Sequence, residues 1–309
     1  MSWVSDYEYT FLQRQTLRVL RICRHIPHHV AFVMDGNRRF AKSKDIDKIE
    51  GHSRGFEKLA DCLNWCLEIG IREVTTFAFS IENFKRSTDE VEGLFNLARE
   101  KFSKLLEESD RLNEHGIRIR VIGSIELLPQ DLQKLIATAM LRTERNDKLF
   151  LNIAFSYTSR DEITQAVETV LNHERHLEEI GDNEDRLLSQ DINERLLEEC
   201  LYTRHSSPPD LVFRTSGETR LSDFLMWQLS SSVLYFTNVL WPQITIWNFF
   251  ASIFVYQRAS CRLEAFRGKE RIRSAKLAKI SDFYSSRVQT FLQKLDIFRR
   301  KELIKLASN

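Results

Sequence analysis

No run of about 18 uncharged apolar residues occurs in the 309-residue chain, so no segment reads as a membrane span. The first residues also lack the short basic stretch followed by an apolar core that a secretory signal needs. Cysteine is sparse and scattered. Cys23, Cys62, Cys66, Cys200 and Cys261 are odd in number, which argues against a disulfide framework and fits a reducing compartment. Cys62 and Cys66 stand at i, i+4 spacing, but with His25, His28 and His29 they form no grouping of structural-zinc spacing, so packed thiols are expected. Neither the dinucleotide glycine pattern nor GxxxxGK[ST] is present, which disfavours a nucleotide enzyme. No internal repeat is visible.

Net charge is equally uninformative at +1, yet it hides an asymmetry. Residues 267–309 hold twelve Lys/Arg against four Asp/Glu, and residues 172–199 hold three against ten. The basic tail could suit nucleic acid or anionic lipid. Because its charges are spread along a helical pattern, a solvated helix face is the expected reading, with no nucleic-acid partner.

What the chain does have is 42% hydrophobic residues, enough for a large core, arranged as short β-branched or aromatic runs between stretches of helical length. The runs are 30–34, 74–79, 117–122, 149–155, 211–213 and 233–236. Their alternation with amphipathic segments predicts an α/β fold: a mostly parallel sheet of about six strands flanked by helices on both faces. Ser87, three residues before Glu90, has capping-box spacing and opens a long periodic stretch ending near His115-Gly116. Pro129 begins another helix. The polar, acidic region 181–198, around Gly181-Asp182-Asn183, reads as a surface loop leading into a short helix. Ahead of the first strand, Leu12, Thr16, Val19, Leu20 and Cys23 share one helical face and Arg14, Arg18 and Arg21 the opposite one. Such a helix can lie on a membrane surface or pack on its own domain or a partner.

Three polar clusters follow predicted strands, where an open parallel sheet binds ligands. In "MDGNRRF", Gly36 permits close backbone approach, the amides after it can point at an anion, and Arg38 or Arg39 adds forked donors to phosphate oxygens. Asp35 suits a magnesium ligand or proton acceptor. The same residue types suit a strand-to-helix turn capped by Asp35 or Asn37. In "SIENFKR", Ser80, Asn83 and Arg86 alternate with apolar side chains, as an anionic head on a greasy tail would require, although an ordinary capped loop has the same composition. After 211–213, Arg214 and Arg220 flank hydroxyls and a glycine, and Ser222 could donate to the same oxygens or cap a following helix. Three such clusters together point to phosphate or diphosphate ligands, two of them. The 21 phenylalanines could line an apolar channel beside them, though most Phe side chains are simply core.

"HHVAFVMDGNRRFA", "FAFSIENFKRS" and "RTSGETRLSDFLMWQ", followed by "VLWP" at 239–242, together resemble the cis-prenyltransferases, most of all the eukaryotic enzymes that make the dolichol precursor. The likeness runs from about residue 3 to about 256. It implies a catalytic domain over 29–256, preceded by an amphipathic helical segment over 1–28 and followed by a basic helical extension over 257–309. It also implies the reaction: farnesyl diphosphate loses its diphosphate and isopentenyl diphosphate adds with a new cis double bond, repeatedly, to give a long-chain polyprenyl diphosphate. By the same resemblance Asp35 is catalytic and binds Mg2+, and Gly36, Asn37, Arg38 and Arg39 cradle the allylic diphosphate with Arg86. His52 and Asn83 sit beside the reacting groups, Asn83 aiding ionisation or proton removal, with Ser80 nearby. Arg214, Arg220 and Ser222 match the family's site for isopentenyl diphosphate.

Two departures from the single-chain bacterial members bear on assembly. Val233 stands where they carry a Glu that helps hold magnesium at the dimer interface, and the Arg-x-Gly tail that completes a neighbour's site is missing, since Gly268 follows Arg267 directly. The eukaryotic pattern implies a membrane-anchored partner subunit resembling the Nogo-B receptor, and through it a peripheral location on the cytosolic face of the endoplasmic reticulum membrane. A non-catalytic prenyl-diphosphate-binding scaffold of the same fold is the alternative.

Overall fold

A computed structural model describes residues 7–23, 25–180, 186–280 and 286–308. Six strands form one sheet: β1 (His29–Val33), β2 (Glu73–Ser80), β3 (Ile117–Ile122), β4 (Leu149–Tyr157), β5 (Leu211–Arg214) and β6 (Val233–Phe236). They lie in the order β3-β4-β2-β1-β5-β6 and every pairing is parallel. The six apolar runs of the sequence are these strands. Parallel strands need crossovers, and α2 (Asn37–Lys44), α3 (Lys48–Ile69), α4 (Thr88–Glu107), α5 (Ser109–His115), α6 (Gln130–Arg142), α7 (Ser159–Ile180) and α8 (Glu194–Cys200) lie in them, while α1 (Phe11–Ile22) precedes the first strand and α9 (Ile246–Ile280) and α10 (Ser286–Ser308) follow the last.

All five residues of β1 are buried, as a central strand covered on both faces must be. Side chains alternate across it. Val30 and Phe32 join the main core with residues of α3, α4, α6 and α9, while Ala31 and Val33 face the opposite side under Phe224, Leu225 and Leu229. A third cluster joins Ala166 and Val170 of α7 to Leu196 and Cys200 of α8 and to Val288, Phe291 and Leu295 of α10. The basic C-terminal segment thus folds back on the domain through one apolar face. Arg204 with Asp296, and Arg300 with Glu144, add ion pairs at its margin.

Strand order reverses between β1 and β5: the chain leaves β1 toward β2 on one side and leaves β5 toward β6 on the other. The crevice outside the carboxyl ends of those two strands is where such sheets bind ligands. The amino edge is closed by a buried polar network instead. His29 bonds Thr75 through Nε2 at 2.7 Å, and Glu73 accepts from Asn152 Nδ2 at 2.9 Å and Ser207 Oγ at 2.9 Å.

Several local expectations need correction. Ser87 precedes α4, but its hydroxyl makes no capping bond, and the Glu90 carboxylate accepts from Arg86 rather than closing a capping box. The long periodic stretch is two helices: the backbone breaks at Glu108, and α5 ends on Gly116 at φ 65°. On α1 the buried residues are Leu17 and Leu20, while Leu12 and Val19 are exposed, so the face that docks on the domain lies one step round the helix from the expected one. Its reciprocal N-terminal cap is formed by Thr10 and Gln13. Gly181-Asp182-Asn183 lies outside the described residues. The cysteines are free thiols; burial pushes those of Cys62 and Cys66 well up from the usual range, as packed rather than reactive groups require.

Candidate active site

The first wall of the crevice is the turn from β1 into α2. Gly36 occupies the N-cap at φ 105°, a conformation costly for any residue with a Cβ, and turns the chain so that α2 begins over the strand end. Asp35 is held on both backbone sides: its amide donates to Thr215 Oγ1 at 3.0 Å, and its carbonyl accepts from the Trp241 amide at 3.0 Å. Trp241 is fully buried and donates from Nε1 to the Gly55 carbonyl at 2.7 Å. One indole therefore ties the Asp35 turn to α3.

α3 approaches α2 at two glycines a turn apart. A Cβ on Gly51 would lie 2.7 Å from the Asn37 carbonyl oxygen, and one on Gly55 2.5 Å from Asn37 Oδ1. This close approach brings His52 to Asn37, with Nδ2 to Nδ1 at 3.4 Å. Burial, and then the Arg86 and Arg38 charges, push the His52 imidazole down to about 4, so it is neutral at physiological pH.

The second wall is the segment after β5. Arg214 is 3% exposed; its Nη2 lies 3.2 Å from Asp35 Oδ2 and its Nη1 donates to Ser222 Oγ at 3.0 Å and to the Arg220 carbonyl. Arg39 reaches across from α2, donating to the Ser216 carbonyl at 3.0 Å, with Asp35 Oδ1 at 3.8 Å and Glu218 at 3.4 Å. Ser216, Ser222, Asp223 and Leu225 all hold positive φ, a concentration of backbone strain typical of ligand-shaped loops. The expected alternative role of Ser222 as a helix cap is not realised: only a short 3-10 turn at Gln228–Ser231 follows. Arg220 contributes its carbonyl inward, while its guanidinium sits at the exposed rim against Glu218.

The third wall follows β2, whose register slips between Phe77 and Ser80 and re-aims the strand end. Ser80 and Asn83 cap the 3-10 turn Ile81–Lys85 reciprocally. The Ser80 amide donates to Asn83 Oδ1 at 3.0 Å and Ser80 Oγ accepts from the Glu82 amide at 3.2 Å. Arg86 then donates to Glu90 at 2.8 Å. Glu90 is 8% exposed and also lies 3.8 Å from both Arg38 and Lys48.

The expected residues thus converge from β1, β2 and β5. Around their meeting point, Asn37 Oδ1, His52 Nε2, Arg214 Nε and Ser216 Oγ are buried with no hydrogen-bond partner. Buried polar atoms are rarely left so. Four together mark a place where a polar ligand supplies the missing partners. Below them lies an apolar cavity of about 110 Å3, whose walls include Phe56, Leu59, Phe79, Leu94, Phe102 and Phe155. A charged mouth above an apolar shaft suits an anion carrying a hydrocarbon tail. Among the described residues no three His, Cys, Asp or Glu side chains group to hold a metal, and no helix is long and apolar enough to cross a membrane.

Reading the sequence alone misses Glu90, Trp241 and Gly55 as parts of the site. Gly51 and Gly55, four apart on a helix, carried a close-packing signal; Trp241 and Glu90 acquire their roles through contacts far along the chain or shared with other clusters.

A family model described as putative undecaprenyl diphosphate synthase matches residues 33–264. The chain is 43% identical along its whole length to the dehydrodolichyl diphosphate synthase complex subunit DHDDS of Homo sapiens, covering 99% of that protein. It is 40% identical to a dehydrodolichyl diphosphate synthase complex subunit of Schizosaccharomyces pombe, over 81% of this chain and 92% of the other. Among solved structures it is similar to lavandulyl diphosphate synthase from Lavandula x intermedia in complex with dimethylallyl diphosphate, with a TM-score of 0.68 and 29% identity over 76% of this chain and 96% of that one.

Proposed function

This chain belongs to the undecaprenyl diphosphate synthase family, the cis-prenyltransferases, and we propose from that membership and from its site that it is the catalytic subunit of a heteromeric dehydrodolichyl diphosphate synthase. It extends farnesyl diphosphate with successive isopentenyl diphosphate units in cis. The observation that carries this reading is the set of four unpartnered buried polar atoms at the mouth of an apolar cavity, with Asp35 and four arginines around it.

The residues divide the work by wall. The amides after Gly36, with Asn37, Arg38, Arg39 and Arg86, receive the allylic diphosphate; Arg214, Ser222 and the rim guanidinium of Arg220 receive the isopentenyl diphosphate. Breaking the allylic C–O bond moves an electron pair onto the departing diphosphate and leaves positive charge on the allyl group. Guanidinium groups fixed around the mouth by Glu90, Glu218 and the Ser216 carbonyl stabilise the developing negative charge. The new carbon–carbon bond then forms to the isopentenyl double bond, and loss of one proton restores unsaturation. Neutral His52 accepts at Nδ1 from Asn37 Nδ2, so its proton sits on the unpartnered Nε2, which donates to a diphosphate oxygen, and the departed diphosphate is the base that takes the proton lost from carbon. Asn83 spends Oδ1 on the Ser80 amide and so acts as a donor through Nδ2, orienting the diphosphate during ionisation.

Asp35 fits magnesium. It is a partly exposed carboxylate at the strand end, and Mg2+ binds through one or two carboxylates together with substrate phosphates rather than in an all-protein cage. Held by Asp35, the ion would supply further neutralisation of the leaving group.

A partner subunit, membrane-anchored and Nogo-B-receptor-like, completes the enzyme and holds it on the cytosolic face of the endoplasmic reticulum. Support comes from the edge strand β6, which begins at Val233 rather than a ligating residue, and from Leu234, Trp247, Phe254 and Val255, exposed on β6 and α9. On this reading 29–256 is the catalytic domain, between the helical segments 1–28 and 257–309.

The test is isopentenyl incorporation by the chain alone and with a candidate partner, with farnesyl diphosphate and magnesium present, for wild type and Asp35→Ala. The reading expects activity only with the partner and its loss in the variant. Undiminished incorporation by Asp35→Ala would leave the scaffold alternative standing; full activity of the chain alone would remove the obligate partner.

A further inference from the structure

On the edge strand β3, Ile117, Ile119 and Val121 point into the main core, so alternation turns Arg118 and Arg120 to the opposite face. The Arg120 guanidinium carbon lies 4.2 Å from the centre of the Phe150 ring; its Nη1 donates to the His205 carbonyl at 2.9 Å and stands 3.5 Å from Glu73 Oε1. Glu73 opens β2, so this guanidinium sits at the amino edge of the sheet, away from the catalytic crevice. Beside it stand Arg204, from the segment after α8, and Arg299 of α10, which donates from Nη2 to the Cys200 carbonyl at 2.5 Å. His205 forms the exposed rim next to Arg204, Arg120 and Arg118. Four guanidinium groups from three distant parts of the chain therefore gather at one place.

Holding α10 to the domain does not account for this grouping. Glu73 already accepts from Asn152 and Ser207 in the interior, and Glu144 is paired with Arg300. Asp296 pairs with Arg204 at 3.2 Å but is itself 58% exposed, and Glu199 adds only a longer-range attraction. Burial pushes Arg120 and Arg299 down to about 10, and Arg204 presses both in the same direction. Among the described residues, Arg120 Nε and Arg299 Nη1 are also buried donors with no acceptor. Like charges crowded together with donors unused are the setting an anion completes. The way in is from the His205 rim, since the Arg120 and Arg204 side chains keep 14% and 17% of their exposure.

We propose that this cluster is a second anion site, separate from the catalytic mouth, which takes a phosphate group: inorganic phosphate or diphosphate, or the phosphate of a lipid headgroup. Arg118 and Arg120 from the strand, Arg204 from the loop and Arg299 from α10 donate to its oxygens, as planar forked donors suit a phosphate. The bound group offsets the repulsion among the four. It also staples α10 to the sheet, adding to the apolar docking of Val288, Phe291 and Leu295 against α7 and α8.

The experiment is calorimetric titration of the full-length chain with inorganic phosphate and with inorganic diphosphate, free of magnesium and at matched ionic strength. Flotation with phosphatidylcholine vesicles, with and without phosphatidic acid, runs alongside. Arg39→Gln alters the catalytic mouth and leaves the cluster intact; Arg299→Met and Arg118→Gln do the reverse. The expected result is a second class of phosphate binding, unmoved by Arg39→Gln and weakened about fivefold or more by each cluster variant. Arg118 is half-buried on the edge strand, so its amide replacement keeps the test open where Arg299→Met does not fold. A second class seen with the free anions assigns a soluble ligand; one seen only with phosphatidic acid assigns a lipid headgroup. Binding that folded Arg118→Gln retains at full strength with every probe, or no binding beyond the class that Arg39→Gln weakens, overturns the proposal.

Discussion

Arg214 and Asp35 face each other across the crevice between β5 and β1, with Nη2 3.2 Å from Oδ2, and each fixes the other. The guanidinium is almost wholly buried and the carboxylate about one-third exposed, so the pair presents Asp35 to the crevice while holding Arg214 within the wall. The same guanidinium bonds Ser222 and the Arg220 carbonyl. A lysine, with one point charge, cannot serve three acceptors in a plane. Arg214→Lys is therefore expected to raise KM for isopentenyl diphosphate about tenfold or more and to change that for farnesyl diphosphate less. Equal effects on both would assign Arg214 to the wrong half of the site.

Gly55 tests the contact that sets α3 against Asn37. An alanine there places a methyl 2.5 Å from Asn37 Oδ1 and 3.0 Å from its Cγ, so the asparagine or the helix must move. Overpacking of this kind costs about 1–3 kcal/mol, and here it also displaces a site residue. Gly268 in α9 is the control: nothing lies within 4 Å of its added Cβ. Gly268→Ala should stabilise by about 0.5–1 kcal/mol through helix propensity. Denaturant midpoints and incorporation rates for both variants check the contrast.

Glu90 is shared by Arg86, Arg38 and Lys48, so one buried carboxylate offsets the repulsion among three cations beside His52. Glu90→Gln keeps the shape and removes the charge. The expected outcome is a roughly tenfold rise in KM for the allylic diphosphate as Arg38 and Arg86 lose their common anchor. Unaltered kinetics with a lowered melting temperature would show that Glu90 serves the fold alone.

His52 makes stability depend on pH with a definite sign. Its folded-state value is about 4 against an ordinary 6.5, so between these limits the unfolded chain binds a proton that the folded chain refuses. Stability then rises with pH across the window and is lost as pH falls from about 6.5 toward 4. His205, likewise pushed down to about 4 by burial and by Arg204 and Arg120, adds to the same slope. In melts from pH 7 to pH 4.5, His52→Gln should lose stability less steeply than wild type. Parallel slopes for the two proteins would show that the imidazole is not held neutral.

Much of this molecule was legible in its chain. Apolar runs separated by helical stretches specify parallel strands, because each run is too short for a helix and each connection long enough for a crossover. "MDGNRRF", "SIENFKR" and the segment from Arg214 carry donor-rich chemistry at strand ends, where the backbone must open toward solvent. Other features depend on contacts between distant positions. Glu90 has the spacing of a cap for Ser87, yet its carboxylate is taken by Arg86, a stronger charged partner four residues away in sequence and backed by Arg38 and Lys48. Which stripe of α1 is buried was ambiguous because the helix is apolar on more than one side; packing on the domain chose Leu17 and Leu20. Trp241 joins Asp35 to Gly55 over some two hundred residues, and Lys101 meets Phe56 across two helices. Local sequence determined the elements and the chemistry offered at their ends, since propensity and periodicity act over a few residues. Only the tertiary structure decided which of those groups meet and which remain unpartnered, because burial and hydrogen-bond satisfaction depend on the whole packed chain.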